Sequence, residues 1–582
     1  MKSRRSASNV HAVLRTGASL AAFCSFCSST ADAQTAPQVD RDAQRILEQQ
    51  QEAARERSEQ FREARERPPS GAEIGDVQPA QTEPGSCAPI REVRLAGVTR
   101  YREAVFTEVL SGLKGSCTSI AMIDGALRAI TNRYVKDGFV TSRAFVGPQD
   151  LKAGVLTITV IEGRVSGVSA APGNPAYGPR EIGAAFPVNS GDILNLRALE
   201  QGVDQLARMS KGDPKLDIAP GDAPGTSLVL VKRGPAARWI RPSLSLNNDG
   251  SASTGRWQGT ASVDIDSLLG MGDVWSLYYQ RGVSSDPLRG NRAYGGFASF
   301  PHGWWTLSLS AGGSDYQSVL SGNGLSFVSK GKTWTGSASV ERMLRRNART
   351  KLSASAGLAL IDTRNWIQGI QLRTSSYRIV SAKVGVRWQR KLGKSQLSVS
   401  GGYDQGLGLL GAHTVDTGPG GASGRYHLAS FDAGVQTPFK IGPSKLTNTL
   451  TLRSQWGFDN LFPAQRFSLG GSSTVRGFRD DGISGRSGVA LREQLGFGIV
   501  DLAKDSPGLA AGLSGVLAYD FGAIRPITGD PYERGVLQSA SAGFRLQGRH
   551  VQGELAIAVP ISAPVWVRHG DTLVSATVRI LL

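Results

Sequence analysis

The chain has 582 residues, 72 of them Gly, with 40% hydrophobic residues, a mean hydropathy of -0.18 and a formal charge of +18. Such a length holds several domains, and the hydropathy excludes a bundle of membrane helices: beyond the first thirty-odd residues no apolar run reaches the roughly 20 residues of a helical span. Lys and Arg are scattered, with no recurrent basic block beside aromatics, so no nucleic-acid partner is expected and the surplus fits a basic lumen or a headgroup-facing rim.

The first 33 residues have the layout of a secretory signal. Lys2, Arg4, Arg5 and Arg15 form the basic end, Gly17 to Phe26 the short apolar core, and Ala31-Asp32-Ala33 the cleavage site. The apolar core is too short for an anchor, and Phe23 stands where lipid attachment at Cys24 wants a small residue. General export is favoured over the twin-arginine route hinted at by Arg4-Arg5. Cleavage leaves Cys87 and Cys117, an even pair in an exported chain. An oxidising periplasm makes a disulfide the expectation and two free thiols the alternative.

Gln38 to Arg67 is dense in Glu, Arg, Gln and Ala and lacks Gly and Pro, which predicts a helix. Its few apolar residues leave it polar on nearly all sides, so it needs a wet environment. Residues 68–86, with Pro68, Pro69, Pro79 and Pro84, are expected as an extended linker. From Cys87 to about Arg233 two small α/β units follow. In the first, Ile90 to Leu95 alternates as a strand. Ile120, Ile123, Leu127, Ile130 and Tyr134 share a helical face, capped by Thr118 or Ser119 and closed by Gly138; Phe139 to Val146 and Val155 to Ile161 are further strands. In the second, Asn195 opens a helix with Leu196, Leu199, Val203 and Leu206 on one face, and Ser227 to Val231 is a strand.

From Trp239 onward two-residue alternation takes over, as in Trp305 to Ser310, Leu397 to Ser400 and Leu450 to Arg453, with turns rich in Gly, Asn, Asp and Pro. Strands of about ten residues, apolar outside and polar inside, are the signature of a membrane barrel. Only a closed barrel or helices satisfy every backbone group in lipid. No His pair has metal-ligand spacing, so neither metal nor cofactor is expected. Gly331-Lys332-Thr333 imitates the end of a phosphate loop, but Ser326 replaces its first Gly and its setting is a strand.

Ordered blocks along these units resemble the TpsB family of two-partner secretion transporters, typified by FhaC and ShlB and related to the BamA superfamily. They are Cys87-Ala88-Pro89-Ile90, Ile130 to Tyr134, Gly138 to Arg143, Ile161 to Val165, Leu194 to Arg197 and Pro224 to Ser227. The resemblance implies a plug helix (38–67), two periplasmic POTRA domains (87–163 and 164–236) and a 16-stranded transmembrane β-barrel (237–582) in the outer membrane. Val475-Arg476-Gly477-Phe478 resembles the signature of a loop folded back into the barrel; Asp520 and Gly522 resemble its partner strand motif. By that likeness Arg476 and Asp520 pair inside the lumen. The family usually ends in an aromatic residue, whereas this chain ends in Leu581-Leu582.

The function implied is that of a pore, not an enzyme. It would take an unfolded TpsA-type exoprotein bearing an N-terminal secretion domain from the periplasm to the cell surface. Whether the cargo is an adhesin, a haemolysin or a contact-dependent toxin, and whether it is activated in passage, stays open. Lipids, lipopolysaccharide and the barrel assembly machinery are the other expected partners. The alternatives are a BamA-like assembly factor and an outer-membrane enzyme or passive porin; two receptor units and a plug helix favour secretion.

Overall fold

The computed structural model describes residues 67–69, 71–72 and 87–582, apart from 174–176, 211–212, 233–237, 323–324, 414–420, 501–511, 528–531 and 568–571. The expected signal, the helix up to residue 66 and most of the linker lie outside the described residues.

The first unit contains β1 (Cys87–Ile90), β2 (Glu92–Ala96), α1 (Thr107–Ser111), β3 (Gly115–Ser119), α2 (Ile120–Lys136), β4 (Arg143–Phe145) and β5 (Val155–Ile161). The Ser119 side chain accepts from the Met122 amide at 3.3 Å. At the far end of α2, Gly138 takes φ +95° while the Gly138 and Phe139 amides bond the Val135 and Tyr134 carbonyls. Both ends therefore stop where capping chemistry dictates. Ala126, Ile130 and Tyr134 are buried with Leu156, Ile158 and Val160 of β5. Ile120, expected on that face, is 52% exposed at the first turn.

Two local expectations need correction. The run Ile90 to Leu95 is two strands in different sheets, because the Arg91 and Glu92 amides both turn onto the Gly154 carbonyl (2.7 and 3.1 Å). The expected strand Phe139 to Val146 shrinks to Arg143–Phe145, since the Ser142 amide closes a turn on Phe139. The Cys87–Cys117 disulfide ties β1 to β3, with Cα atoms 5.0 Å apart. Its 30-residue loop corresponds to about 3–4 kcal/mol of unfolded-state entropy.

The second unit contains β6 (Arg164–Ala170), α3 (Pro179–Ala185), α4 (Leu196–Ala207), β7 (Lys215–Pro220) and β8 (Thr226–Lys232). Its sheet order β6-β8-β7 matches the β2-β5-β4 order of the first: one parallel and one antiparallel pairing about a central strand. Leu199 and Leu206 of α4 meet Val229 and Val231 of β8 in the core.

The remaining chain forms a closed barrel of sixteen antiparallel strands, from Ile240–Asn247 to Leu573–Leu581, the last pairing with the first. The two faces alternate. Leu555, Ile557, Val559 and Ile561 are 47–52% exposed on the outside, whereas Ala556 and Ala558 are buried. Large apolar side chains uncovered along every wall are acceptable only against lipid. Four consecutive strands, Trp305–Gly322, Leu325–Arg346, Thr350–Ile367 and Ile370–Leu392, have 18 to 23 residues, well beyond the ten expected. At about 3.3 Å per residue they outreach the bilayer and form a projecting wall.

The second unit is bolted to one rim of this barrel. Gln205 of α4 donates to the Gly303 carbonyl (3.0 Å) and the Thr306 hydroxyl (3.1 Å). Arg346, with its side chain 2% exposed, pairs with Asp204 and Glu200, and Lys351 also reaches Asp204. The Lys351 ammonium donates to the Arg67 carbonyl (2.7 Å), the Gly71 amide bonds Ala348, and the Ala72 amide bonds Glu200. The chain entering from the N-terminal segment is thus pinned at the same joint.

Burial pushes the Glu162 carboxyl up, but bonds from the Thr99 hydroxyl, the Tyr134 hydroxyl and the Arg100 and Thr99 amides outweigh it and hold it below its ordinary 4.5. Its contribution is complete above the unfolded value and is lost as pH falls through the lower folded value. Glu162→Gln is expected to cost the first unit about 1–3 kcal/mol at neutral pH and to flatten its acid sensitivity below pH ~4.5, read by limited proteolysis of the whole protein. Arg346→Ala leaves Asp204 to Lys351 and Glu200 to Arg197, with neither carboxylate tied to the other across the joint. A penalty of about 3–5 kcal/mol should loosen the joint, measured as faster amide exchange in α4 with barrel exchange unchanged.

Candidate pore-loop site

The joined units mark one rim of the barrel, and the loop of interest enters from the other. It connects strand Ser444–Gly457 to strand Gly488–Val500 and carries a hairpin of Phe467–Leu469 and Ile483–Gly485. Glycines allow its sharp tip. Gly470, Gly471 and Gly477 have φ of +120°, +89° and +95°, and a Cβ on Gly470 would lie 2.8 Å from the Phe478 carbonyl.

The tip meets the inner wall at Asp520, which is 1% exposed. Arg476 gives this carboxylate a two-pronged contact, Nε to Oδ2 at 2.7 Å and NH2 to Oδ1 at 2.9 Å, and its backbone amide adds a third bond at 3.0 Å. A fourth comes from Arg492, Nε to Oδ1 at 2.8 Å. An ionised carboxylate has about four acceptor positions, and here all four are used. Arg492 also holds the loop backbone directly, donating to the Ser472 and Thr474 carbonyls at 2.8 and 3.1 Å.

Arg492 is the functional residue that sequence reasoning missed. It sits directly opposite Asp520 in the pairing of Gly488–Val500 with Gly512–Ile524. Cross-strand neighbours on one face lie about 5 Å apart, but their register depends on a connection with no local signal. A basic residue at lumen-facing parity was the only clue.

Apolar contacts complete the seat. Val475 and Phe478 are buried with Leu469, Ile483, Ala490, Ile524 and Leu537. Gly522 lies two residues along the strand from Asp520, and a Cβ there would come within 2.7–2.9 Å of Leu469 and Val475. The residue is Gly because the loop occupies the space. Beyond the tip, Asp480 accepts from the Ser251 hydroxyl and the Ala252 amide at 3.0 and 3.1 Å, fastening the loop to the opposite side of the closing seam. Val475, Arg476, Gly477, Phe478, Asp520 and Gly522 are thus brought together, whereas Cys87 and Cys117 are in the first unit, remote from the loop. Gly331-Lys332-Thr333 lies inside strand Leu325–Arg346, with no helix after it.

Comparison with known proteins supplies the setting. The family model described as "Haemolysin secretion/activation protein ShlB/FhaC/HecB" matches residues 225–546. A ShlB-type POTRA domain matches 88–163, and a further POTRA domain matches 164–220. The chain is 30% identical over 485 residues to the outer membrane transporter CdiB of Escherichia coli, covering 83% of this chain and 80% of that one. It is 29% identical over 420 residues to the hemolysin transporter protein ShlB of Serratia marcescens, covering 70% and 72%. The solved structure of CdiB from Escherichia coli superposes with a TM-score of 0.84 at 28% identity, covering 95% of this chain and all of that one. CdiB from Acinetobacter baumannii, at 21% identity and a TM-score of 0.77 over 95% of this chain and all of that one, shares the fold. The chain belongs to the ShlB/FhaC/HecB family of two-partner secretion transporters, outer-membrane β-barrels that carry periplasmic POTRA domains.

Proposed function

We propose that this protein takes an unfolded exoprotein partner in the periplasm and passes it through the barrel to the cell surface, with no chemical step of its own. One observation carries the reading: receptor-like units are fixed to one rim, and a loop entering from the other is locked onto the lumen wall at Asp520. A passive porin has no use for the first feature. Among the described residues β4 and β7 each pair with one neighbour only, so both units keep an open sheet edge. Phe145 and Ile218 are 38% and 42% exposed along those edges. An extended chain adds to such an edge through its backbone, with side-chain pockets giving selectivity. Sixteen strands enclose room for an aqueous channel. Folding of the partner outside would supply the direction, since a folded domain does not slip back.

In this reading the Arg476–Asp520 lock sets where the loop stands in the path of the cargo. Surrounding lipid, lipopolysaccharide and the barrel assembly machinery are the remaining partners proposed. Arg476→Ala removes two of the four bonds to Asp520, the two-pronged side-chain contact, at a cost of about 3–5 kcal/mol and should lower export of the cognate exoprotein about tenfold, with the barrel still heat-resistant in detergent. Normal export by that variant would refute the role given to the loop. Gly522→Val reaches the same end by another route, displacing Leu469 and Val475 while both arginines remain. It should reproduce the export defect and expose the loop to protease; a protected loop with full export would show that the seat tolerates a side chain.

A further inference from the structure

The outer wall carries a row of charges that the secretion reading does not use. Arg281, Arg292, Asp315, Lys332 and Arg364 stand opposite one another in turn across five consecutive strands, from Val274–Val283 to Thr350–Ile367. All share the lipid-facing parity of Trp334, which is 54% exposed two residues from Lys332. The same step recurs on two other strands: Tyr279 precedes Arg281, and Tyr294 follows Arg292, with the two tyrosines 47% and 37% exposed. On these three strands an aromatic ring is followed, two residues further from the POTRA rim, by a base.

That spacing places the row. Trp305 faces Arg342, whose guanidinium stacks on its ring at 4.9 Å near the POTRA-side rim. Eight residues along the strand from Arg342 comes Trp334, about 26 Å away and about 20 Å along the membrane normal at the tilt usual for such barrels. The two aromatic levels thus bracket an apolar band close to the roughly 25 Å of outer-membrane barrels. The row begins one step outside it, at the depth of the outer-leaflet headgroups.

The row is also poorly neutralised. Arg281 faces Arg292, and Lys332 faces Arg364. Like charges directly opposite are unfavourable in a sheet. Asp315 pairs with Arg292 at 2.6 Å and Arg364 contacts Asp362 at 3.3 Å, but Lys330 and Lys332 have no ion-pair partner among the described residues. Four bases and one acid on a single row leave a surplus of positive charge.

We propose that this row, with Lys330 above it, is a docking site for the phosphorylated glycolipid of the outer leaflet: phosphates lie between the bases, and acyl chains lie against Tyr279, Tyr294 and Trp334. Charge-assisted bonds from Lys and Arg to phosphate oxygens are the chemistry such a headgroup selects, and ring faces at the boundary suit the join of headgroup and chain.

The test uses the whole protein in phosphatidylcholine nanodiscs. Bisphosphorylated lipid A is titrated in, with its dephosphorylated form and phosphatidylglycerol as separate arms. Capture by K330Q/K332Q/R364Q should be about tenfold weaker than by wild type, with heat-resistance unchanged. Amine acetylation of the wild-type protein gives a readout that needs no variant. Bisphosphorylated lipid A should protect Lys330 and Lys332 but not Lys440 and Lys445, which are exposed beside the turn at the POTRA-side rim. Protection that persists with the dephosphorylated lipid, equal protection by phosphatidylglycerol, or no protection at all would each overturn the proposal.

Discussion

Inside a bilayer a backbone amide has no water to turn to, so a sheet that enters lipid must close on itself. Here the closure is the pairing of Leu573–Leu581 with Ile240–Asn247, helped by the Leu582 amide on the Pro242 carbonyl. Once the cylinder is shut, side-chain parity is no longer free. Every second residue faces lipid and every other one faces the lumen, and a shift by one residue would put Asp520 and Arg492 into hydrocarbon. The loop site therefore exists because the seam exists.

The two ends of the cylinder are then finished by different physics. At the POTRA rim the binding is polar and partly buried: Arg346 and Lys351 against Asp204 and Glu200, with glutamine side chains capping turn carbonyls. Such pairs give direction more than stability, because desolvation offsets much of their attraction. They fix the angle at which α4 meets the barrel, and so which way the open edges of β4 and β7 point. At the other end the loop is held by a saturated carboxylate backed by Phe478, Val475 and Leu469 in an apolar seat.

Much of this was legible beforehand, for reasons that differ by element. The barrel announces itself through repetition, since one alternating run such as Trp305 to Ser310 means little and sixteen mean a cylinder. Helix α2 was visible because its apolar spacing and both caps agree. Helix α3 was overlooked although Pro179 at its first turn and Glu181, whose carboxylate accepts from the Gly178 amide at 2.9 Å, are start signals. It is only seven residues long, too short to show a period. The split at Arg91 and the shortened strand at Arg143–Phe145 were hidden because tertiary partners decide where an extended chain changes sheet. Motif likeness could point to Arg476 and Asp520, which lie within short conspicuous sequences. Arg492 lies in an ordinary strand and acquires its meaning from register alone.

That third residue changes how the lock works. A single arginine would neutralise Asp520 and leave the loop tip uncharged; two arginines on one carboxylate leave the assembly with one positive charge beside the channel. The surplus is tolerable because Arg492 also donates to the Ser472 and Thr474 carbonyls where the hairpin turns. The wall strand thus grips the loop twice, once through the shared carboxylate and once through backbone oxygens that no side-chain substitution on the loop removes. Loss of Arg476 frees the tip but leaves the Arg492 hold, whereas loss of Asp520 sets two guanidinium groups against each other in a buried site. The strand carboxylate, rather than the arginine of the loop signature, is the group on which the position of the loop turns.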